Sequence, residues 1–204
     1  QFRIKGRLRS FNQGEFYVYS PDRGLTGMDT IKVADGRFSY ETTLGDEATF
    51  IIVFPNYSEL PVFGKSGTTA EISGDASHLK EVEIHGEKNN EDMTAFRLSV
   101  ANMTPPQAKK AAEEYISKNP KSIVSLYLIR KYLINTKEPD YEKAYTLTKA
   151  MVDADKNNAG ASMLLSQLKE LRHVKKGGRL PSFSATDIEG KAVSGAKLKG
   201  KLNV

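Results

Sequence analysis

The chain of 204 residues contains no cysteine and no tryptophan, and it has only three histidines. The absence of cysteine excludes disulfide bonds, thiol catalysis and thiolate metal ligands within these residues. It leaves the redox compartment of the protein open. Whatever the chain does, it carries no thiol chemistry of its own.

Long apolar runs are also missing, since none approaches the roughly 20 residues that a bilayer-spanning helix needs. With 39% hydrophobic and 27% charged residues, the composition is ordinary for a globular chain. At this length we expect one large or two small domains. The chain begins at Gln1 without Met and alternates like a strand from its first residues, so a processed or trimmed start is expected.

The first 173 residues also lack an excess of basic side chains, although the net charge of the chain is +5. Residues 1–173 carry 23 Lys/Arg and 23 Asp/Glu, so their charges cancel. Residues 174–204 carry seven basic and two acidic residues, which is the whole excess. Because nucleic-acid binding needs clustered basic side chains on the folded surface, no nucleic acid is expected as a partner.

Apolar and polar residues alternate with period two over the first 88 residues, which is typical of β-strands. Asp35-Gly36 between two such runs is a strong hairpin signal. Residues 48–54 are nearly all apolar, as in a strand buried on both faces. Eight short strands with regular turn signals predict an antiparallel β-sandwich or barrel. The predicted strands are residues 2–8, 15–19, 29–33, 37–43, 48–54, 60–63, 69–72 and 82–85.

From residue 89 the apolar period changes from 2 to 3.6, which indicates helices. Asn90 is expected to cap the first helix, whose apolar face consists of Met93, Phe96 and Val100. Thr104-Pro105-Pro106-Gln107 fits a capping box with proline at the first helical position, and it predicts a second helix. That helix is lined on one side by Ala108, Ala111, Ala112, Tyr115 and Ile116.

Three further helices are predicted. Asn119 before Pro120 is expected to end the second helix and to cap the third, because a residue before proline leaves the α region. Nine of the twelve residues 123–134 are apolar, so the third helix is expected to be the buried centre of the helical domain. Pro139 is expected to start a fourth helix and Asn158 a fifth. Their inward faces are predicted to be Tyr141, Ala144, Tyr145, Thr148 and Val152, and Ala161, Leu164, Leu165, Leu168 and Leu171.

Residues 179–204 have the pattern of an extended lead-in followed by a hairpin, with a turn at Glu189-Gly190. The residues that carry the pattern are Pro181, Phe183, Asp187, Gly190, Lys191, Val193, Gly200 and Lys201. The pattern resembles the opening hairpin of thioredoxin-like domains of the peroxiredoxin and envelope thiol–disulfide oxidoreductase kind. One departure is Gly195, where that family usually has leucine. The resemblance implies that a Trp-Cys-x-x-Cys motif follows in the same gene.

A second resemblance covers about residues 1–90. Its motifs are, in order, Asp29-Thr30, Asp35-Gly36-x-Phe38, Leu60-x-Val62-Phe63, Gly67, Ile72-x-Gly74-Asp75 and Ile84-x-Gly86, with Asn89 close behind. They resemble the N-terminal β-domain of unknown function found before thioredoxin-like domains in bacterial envelope proteins. The resemblance implies export to the periplasm, often with an N-terminal lipid anchor, which would lie upstream of Gln1.

Candidate ligand sites are few. Residues 195–201 (GAKLKGK) match the consensus G-x-x-x-x-G-K of a phosphate-binding P-loop. Leu202 stands where Mg²⁺ coordination needs Ser or Thr, so no phosphate cofactor is expected. His78 and His85 have acidic neighbours in the sequence, namely Glu71, Asp75, Glu81 and Glu83. A metal site needs three or four ligands that converge, and alternating strand positions favour separate solvated side chains, so no metal site is predicted. His173 is explained by its place at a helix C-terminus.

Tyr17, Tyr19 and Tyr40 form a candidate aromatic patch of the β-domain. Cross-strand aromatic pairing and ligand binding both explain them, and pairing is the favoured interpretation. Asp29-Thr30-Ile31 resembles a bacterial periplasmic O-glycosylation acceptor, although Asp-Thr is common where strands begin. There is no Gly-x-Ser-x-Gly nucleophile elbow, and no catalytic or cofactor-binding residue is predicted.

These patterns predict an α+β chain in three parts. They are a β-sandwich or barrel over residues 1–88, a domain of about five helices over 89–174, and a linker with an incomplete thioredoxin-like hairpin over 175–204. The resemblances imply a non-catalytic envelope module that positions, dimerises or selects substrates for a thiol–disulfide oxidoreductase. A stand-alone periplasmic module that binds a glycan or a peptide is the alternative, and an enzyme with its own site is least expected.

The expected partners are proteins or a second copy of the chain. The hairpin has apolar residues that its family packs against a thioredoxin sheet, namely Phe183, Ile188, Val193, Leu198 and Leu202. Because exposed strands and apolar side chains seek a partner, we expect this hairpin to dock on the chain's own helices or on a neighbouring molecule.

Overall fold

The computed structural model describes residues 1–22, 24–174 and 182–195. A nearly barrel-like sheet of eight strands comes first, five α-helices follow, and a two-stranded hairpin comes last. This arrangement confirms the predicted α+β fold class. The strands of the large sheet are β1 (Phe2–Arg9), β2 (Gln13–Tyr19), β3 (Met28–Ala34), β4 (Arg37–Thr42), β5 (Ala48–Val53), β6 (Glu59–Gly64), β7 (Thr69–Asp75) and β8 (Glu83–His85).

Two compact units make up the chain, with the break after Ile129. The first unit holds the sheet, a 3₁₀-helix at Ala76–Glu81, and the helices α1 (Lys88–Val100), α2 (Pro105–Lys118) and α3 (Ile123–Ile129). The second unit holds a π-helical segment at Arg130–Ile134, the helices α4 (Tyr141–Ala154) and α5 (Ala159–Leu171), and the strands β9 (Ser184–Thr186) and β10 (Ala192–Ser194). None of the helices among the described residues is long and apolar enough to cross a bilayer. The predicted domain boundary after residue 88 stays a prediction.

The strand order of the large sheet is β6-β5-β2-β3-β4-β1-β7-β8. Its neighbouring strands run antiparallel except for β1 and β7, which are parallel. Asp35 and Gly36 turn the chain from β3 into β4 with φ of 51° and 72°, as the hairpin signal predicts. The parallel pair was not predicted, because it joins strands that are far apart in the sequence and leaves no local signal.

The core of the sheet consists of the apolar side chains that face inward at every second position of the strands. Phe16 lies edge-on to Phe38 and Phe54, with ring centroids 5.4 and 4.8 Å away. Phe2 stacks on Phe50 at 5.3 Å. Period-two alternation puts these rings on one face, and ring pairs of this geometry add to the stabilisation that comes from burial alone.

Gly6 lies where β1 and β7 approach each other closely. A Cβ at this position would lie 2.5 Å from the Ile72 carbonyl oxygen and 2.5 Å from the Phe38 ring. We expect Gly6→Ala to lower the free energy of unfolding by about 1–3 kcal/mol, because the backbone of β7 has to shift. Gly45→Ala is the matched control, since open space surrounds its Cβ position. Urea denaturation of both variants is the measurement, and equal midpoints would contradict a close approach at Gly6.

The start of α1 differs from the prediction. The helix begins at Lys88, and its N-cap is Glu87, whose Oε2 accepts a hydrogen bond from the N–H of Asn89 at 2.8 Å. Asn90 lies inside the first turn and is fully buried. The prediction that Asn90 caps the helix is therefore wrong, because its side chain has partners elsewhere in the fold.

The start of α3 also differs. The Asn119 side chain donates back to the Tyr115 carbonyl at 2.9 Å and so closes α2. The third helix begins only at Ile123, where the Ser122 hydroxyl accepts from the N–H of Val124 at 3.2 Å. The prediction that Asn119 caps the third helix is wrong, since this asparagine serves the end of the preceding helix instead.

The remaining caps follow the sequence more closely. Thr104 and Gln107 confirm the predicted start of α2, because the N–H of Thr104 donates to Gln107 Oε1 at 2.9 Å. Asn158 caps α5 as predicted. The fourth helix begins after Asp140, which is its N-cap, so its start lies slightly beyond the predicted Pro139.

The apolar third helix is buried as predicted. Every residue of α3 is buried, and Ile129 has no exposed surface. The π-helical segment that follows has Leu133 as its buried residue. In the second unit, α4 and α5 pack together, and Leu147 and Met151 add to the predicted buried face of α4.

The hairpin of β9 and β10 is confirmed, with Gly190 at φ 81° in its turn. Asp187 Oδ1 accepts from the N–H groups of Glu189 and Lys191 at 2.9 and 2.8 Å, which holds this turn. Phe183 is 41% exposed and Ile188 is fully exposed. The expectation that the hairpin docks on the chain's own helices stays a prediction.

Several predicted features fall on residues 175–181 and 196–204, which lie outside the described residues. They include the linker, Pro181, most of the P-loop-like sequence over residues 195–201, and Leu198 and Leu202 of the predicted hairpin. Strand addition to a neighbouring molecule also stays a prediction.

Candidate functional site

Four of the acidic and histidine residues singled out in the sequence, namely Asp75, His78, Glu83 and His85, have partners close by in the chain. His85 Nε2 lies 3.0 Å from Glu83 Oε2, and His78 Nδ1 lies 3.0 Å from Ser77 Oγ. Hydrogen bonds from the Ser77 hydroxyl and N–H lower the pKa of Asp75 to about 2, which commits this carboxylate to capping the 3₁₀-helix. Within the described part of the chain, no three His, Asp or Glu side chains come close enough to share a metal ion.

Asn89 joins two carboxylates at the start of α1. Its Nδ2 donates to Glu47 Oε1 at 2.7 Å and to Glu87 Oε1 at 3.3 Å. Burial and the nearby Glu87 charge raise the pKa of Glu47. Because Glu87 is also the N-cap, this cluster fastens the segment before β5 to the helix, which explains it as a structural feature.

The three candidate tyrosines lie on two different faces of the sheet. Tyr17 and Tyr19 lie on the outer face of β2, while Val18 between them points into the core. Tyr40 packs against the core, and its hydroxyl donates to Asp29 Oδ2 at 3.2 Å. Burial and the Asp29 charge raise the pKa of Tyr40 to about 12. The hypothesis that the three tyrosines form one patch is therefore wrong. An even spacing places side chains on the same face only within one strand, and Tyr40 belongs to a different strand.

Aromatic cross-strand pairing does not explain Tyr17 and Tyr19 either. Tyr17 lies opposite Thr30 of β3 and Val53 of β5. Tyr19 lies opposite Met28 and Ile51 on the same two strands. None of the four partners is aromatic, so these rings are available for another role.

The outer face of the sheet has a charged half on β4, β1 and β7. Arg3 of β1 pairs with Glu41 of β4 at 2.6 Å, and Lys5 pairs with Glu71 of β7 at 2.7 Å. The partners stand directly opposite each other in the strand register. Cross-strand ion pairs of this kind neutralise each other, and such a surface is well solvated.

The other half of the outer face, on β6, β5, β2 and β3, has more apolar side chains. Part of it is covered by α3: Phe63 is fully buried, and its ring meets that of Tyr127 edge-on at 6.1 Å. The remainder is open to solvent, and we name it the tyrosine face. It consists of Tyr17, Tyr19, Met28, Thr30, Val53 and Glu59, which the registers place in two adjacent rows.

Tyr19 and Glu59 form the polar contact of the tyrosine face. The Tyr19 hydroxyl donates to Glu59 Oε1 at 3.2 Å. The Tyr19 hydroxyl is protonated at neutral pH like any tyrosine, and burial and the Glu59 charge raise its pKa further. The face therefore offers two aromatic rings, two aliphatic side chains and a carboxylate that keeps free acceptor positions.

The edges of the large sheet are closed to further strands. On β6, Asn90 Oδ1 accepts from the Phe63 N–H and its Nδ2 donates to the Phe63 carbonyl, both at 2.8 Å. Pro61 of the same strand has no N–H to offer. The opposite edge, β8, is three residues long and exposes Glu83 and His85. Short, charged or proline-containing edges resist strand addition.

Sequence reasoning singled out Tyr17 and Tyr19 but missed Met28, Val53 and Glu59. These three come from different strands, and only the register places them beside the tyrosines. No local signal in the sequence marks them. Thr30, which belongs to the sequence that resembles an O-glycosylation acceptor, lies in this face and is half-buried within β3.

Comparison with known families finds that the β-rich region is similar to one of them. Residues 2–93 match the model of a family described as a domain of unknown function (DUF4369). The match spans all eight strands and the first residues of α1. It confirms the β-domain of unknown function that the sequence motifs predict. Comparisons with curated proteins and with solved structures returned no match.

Proposed function

We propose that the chain is the non-catalytic N-terminal module of a bacterial envelope thioredoxin-like thiol–disulfide oxidoreductase. There it positions the redox domain, brings two copies together or selects substrates. The observation that carries the proposal is the hairpin of β9 and β10, which folds around Asp187 and Gly190 at the place where the thioredoxin-like resemblance lies. The lack of cysteine means that the thiol chemistry has to be supplied by further sequence of the same gene.

The exposure of the hairpin supports the same proposal. A two-stranded hairpin is marginally stable in water unless it packs against more structure. Here Phe183 and Ile188 are exposed, so both strands would gain from a larger sheet on which these side chains pack. A thioredoxin-like domain built onto this hairpin would supply that sheet.

The β-rich domain supports the cellular part of the proposal. The resemblance of residues 1–90 implies a position before a thioredoxin-like domain in an envelope protein. On this basis we place the protein in the periplasm or on a lipid anchor at the outer membrane.

The reading frame of the native gene tests the proposal. We expect it to continue past Val204 into a strand and a Cys-x-x-Cys motif within about a dozen residues. The product of the full frame should reduce insulin with dithiothreitol as electron donor, because a thiolate of lowered pKa is the nucleophile. The 204-residue chain without those cysteines is the control and should show no reduction. A stop codon directly after Val204 in the native gene would contradict the proposal.

A further inference from the structure

The exposed area of the tyrosine face is small. Tyr17 and Met28 leave 47% and 63% of their surfaces exposed, and Tyr19 and Val53 are half-buried. Since a large aromatic side chain has about 150–250 Å² to bury, the whole face offers on the order of 300 Å². A stable dimer needs about 800 Å² from each partner. The face is therefore too small to hold a second copy by itself, and it fits a ligand with a small footprint.

The tyrosine face carries little charge, which suits a neutral ligand and disfavours an anionic one. Its rings and aliphatic side chains carry no charge, and Glu59 contributes one carboxylate. Glu15 and Lys32, which stand opposite each other next to the face, cancel each other. Within the described residues, the face itself has no cluster of the basic groups that bind nucleic acid and other polyanions.

A peptide added as a strand does not suit this position. The tyrosine face is centred on β2, whose main chain is paired with β3 on one side and with β5 on the other. The outer edge of β6 is occupied by Asn90 and interrupted by Pro61. Recognition at this face therefore has to come from side chains alone, without the main-chain hydrogen bonds of strand addition.

We infer that the tyrosine face binds a neutral carbohydrate chain. A pyranose ring has an apolar side of C–H groups, which packs on the electron-rich face of an aromatic ring, and a rim of hydroxyl groups. Tyr17 and Tyr19 are two residues apart on β2, so their Cα atoms are about 7 Å apart and the rings can contact successive sugars. Met28 and Val53 extend the apolar surface around them.

The polar groups of the face complete the sugar site. Glu59 accepts one hydrogen bond from the Tyr19 hydroxyl and has further acceptor positions for sugar O–H groups. The Thr30 hydroxyl stands opposite Tyr17 and both donates and accepts. This inference deepens the substrate selection in the proposed function, and it can fail while the reading-frame prediction stands.

The test is calorimetric titration of the full 204-residue chain with cellohexaose, maltohexaose, xylohexaose and chitohexaose. We expect saturable binding of at least one of them. Tyr17→Ala and Tyr19→Ala should each weaken it by about tenfold or more, because each removes a ring at the centre of a small contact. Glu59→Gln, which keeps the shape of the side chain, should weaken it by a smaller factor.

The matched control lies on the charged half of the same face. Replacing both Lys5 and Glu71 with alanine removes an exposed ion pair and should leave the sugar affinity unchanged. Thermal melting of every variant checks that the fold is intact, which we expect because the replaced side chains are exposed or half-buried.

Three results would overturn the inference. One is the absence of saturable binding to any of the four sugars at millimolar concentration. Another is sugar binding that survives both tyrosine substitutions. The third is binding of a reduced and alkylated unfolded protein, or dimer formation in light scattering, that Tyr17→Ala abolishes. That outcome would assign the face to a protein partner or to a second copy.

Discussion

Replacement of Asn90 by alanine is expected to lower the free energy of unfolding by about 3–5 kcal/mol. Asn90 has no exposed surface, and its amide satisfies both the N–H and the carbonyl of Phe63. Alanine would leave these two buried main-chain groups without partners, and each such group costs about 1–3 kcal/mol. The loss of packing in the resulting cavity adds to this penalty.

Urea denaturation followed by circular dichroism measures this effect. Asn102→Ala is the matched control, because Asn102 is exposed just beyond the end of α1. Its effect should stay within about 0.5 kcal/mol. Similar midpoints for the two variants would mean that Asn90 does not hold the edge of β6.

Asn90→Asp separates the hydrogen bonds from the packing. A protonated aspartic acid can still donate to the Phe63 carbonyl, whereas the carboxylate cannot and is buried as a charge. Burial raises the folded-state pKa of this Asp above its unfolded value of about 3.9. Its neutral form therefore stabilises the fold fully below about pH 4, and this contribution is lost as the pH rises towards the folded pKa. A stability difference from the natural chain that does not change with pH would contradict this account.

Ile129→Asp should have a comparable effect, with a loss of about 4–5 kcal/mol. Ile129 has no exposed surface and ends a helix in which every residue is buried. An aspartate at this position is either buried as an unpaired charge or protonated without a hydrogen-bond partner, and both are unfavourable. Part of the population is expected to be unfolded at room temperature, since the loss is a large share of the stability of a typical domain.

Thermal and urea denaturation of the Ile129 variant are the measurements. Ile129→Leu keeps the volume and should change the free energy of unfolding by less than about 1.5 kcal/mol. Thr136→Asp places the same new charge at an exposed position and serves as the second control. If the Ile129→Asp variant has the same melting temperature as the natural chain, α3 is not part of the core.

The predictions that were confirmed rest on interactions between residues close together in the chain. Thr104 and Gln107 are three residues apart, and so are Asn158 and the Ala161 N–H that it caps. The Asp35-Gly36 turn acts over four residues. Local signals of this kind are complete within one short segment, so the sequence is enough to place them.

The predictions that were wrong depend on distant partners. Asn90 has a helix-capping side chain by type, but its partner Phe63 lies 27 residues away and draws it into the core. Asn119 was assigned to the helix that follows, although its side chain bonds within the helix that precedes it. Cap residues are recognised by type, and only the folded chain decides which free main-chain group they reach.

The tyrosine face shows the same division for the candidate site. The alternation along β2 puts Tyr17 and Tyr19 on one side of their strand, which is readable from two residues. Their neighbours Met28, Val53 and Glu59 depend on the registers of three strand pairs. A shift of one residue in any register would carry a whole strand's side chains to the opposite face.

The sequence by itself determined that this chain has no thiol chemistry, that eight short strands precede five helices, and that a hairpin follows them. Each of these follows from composition or from a period that repeats over a few residues. The tertiary structure decided the parallel pairing of β1 with β7, the closed edge of β6 and the members of the tyrosine face. These features come from contacts between distant segments, whose free energy depends on the packing of the whole sheet and not on any one segment.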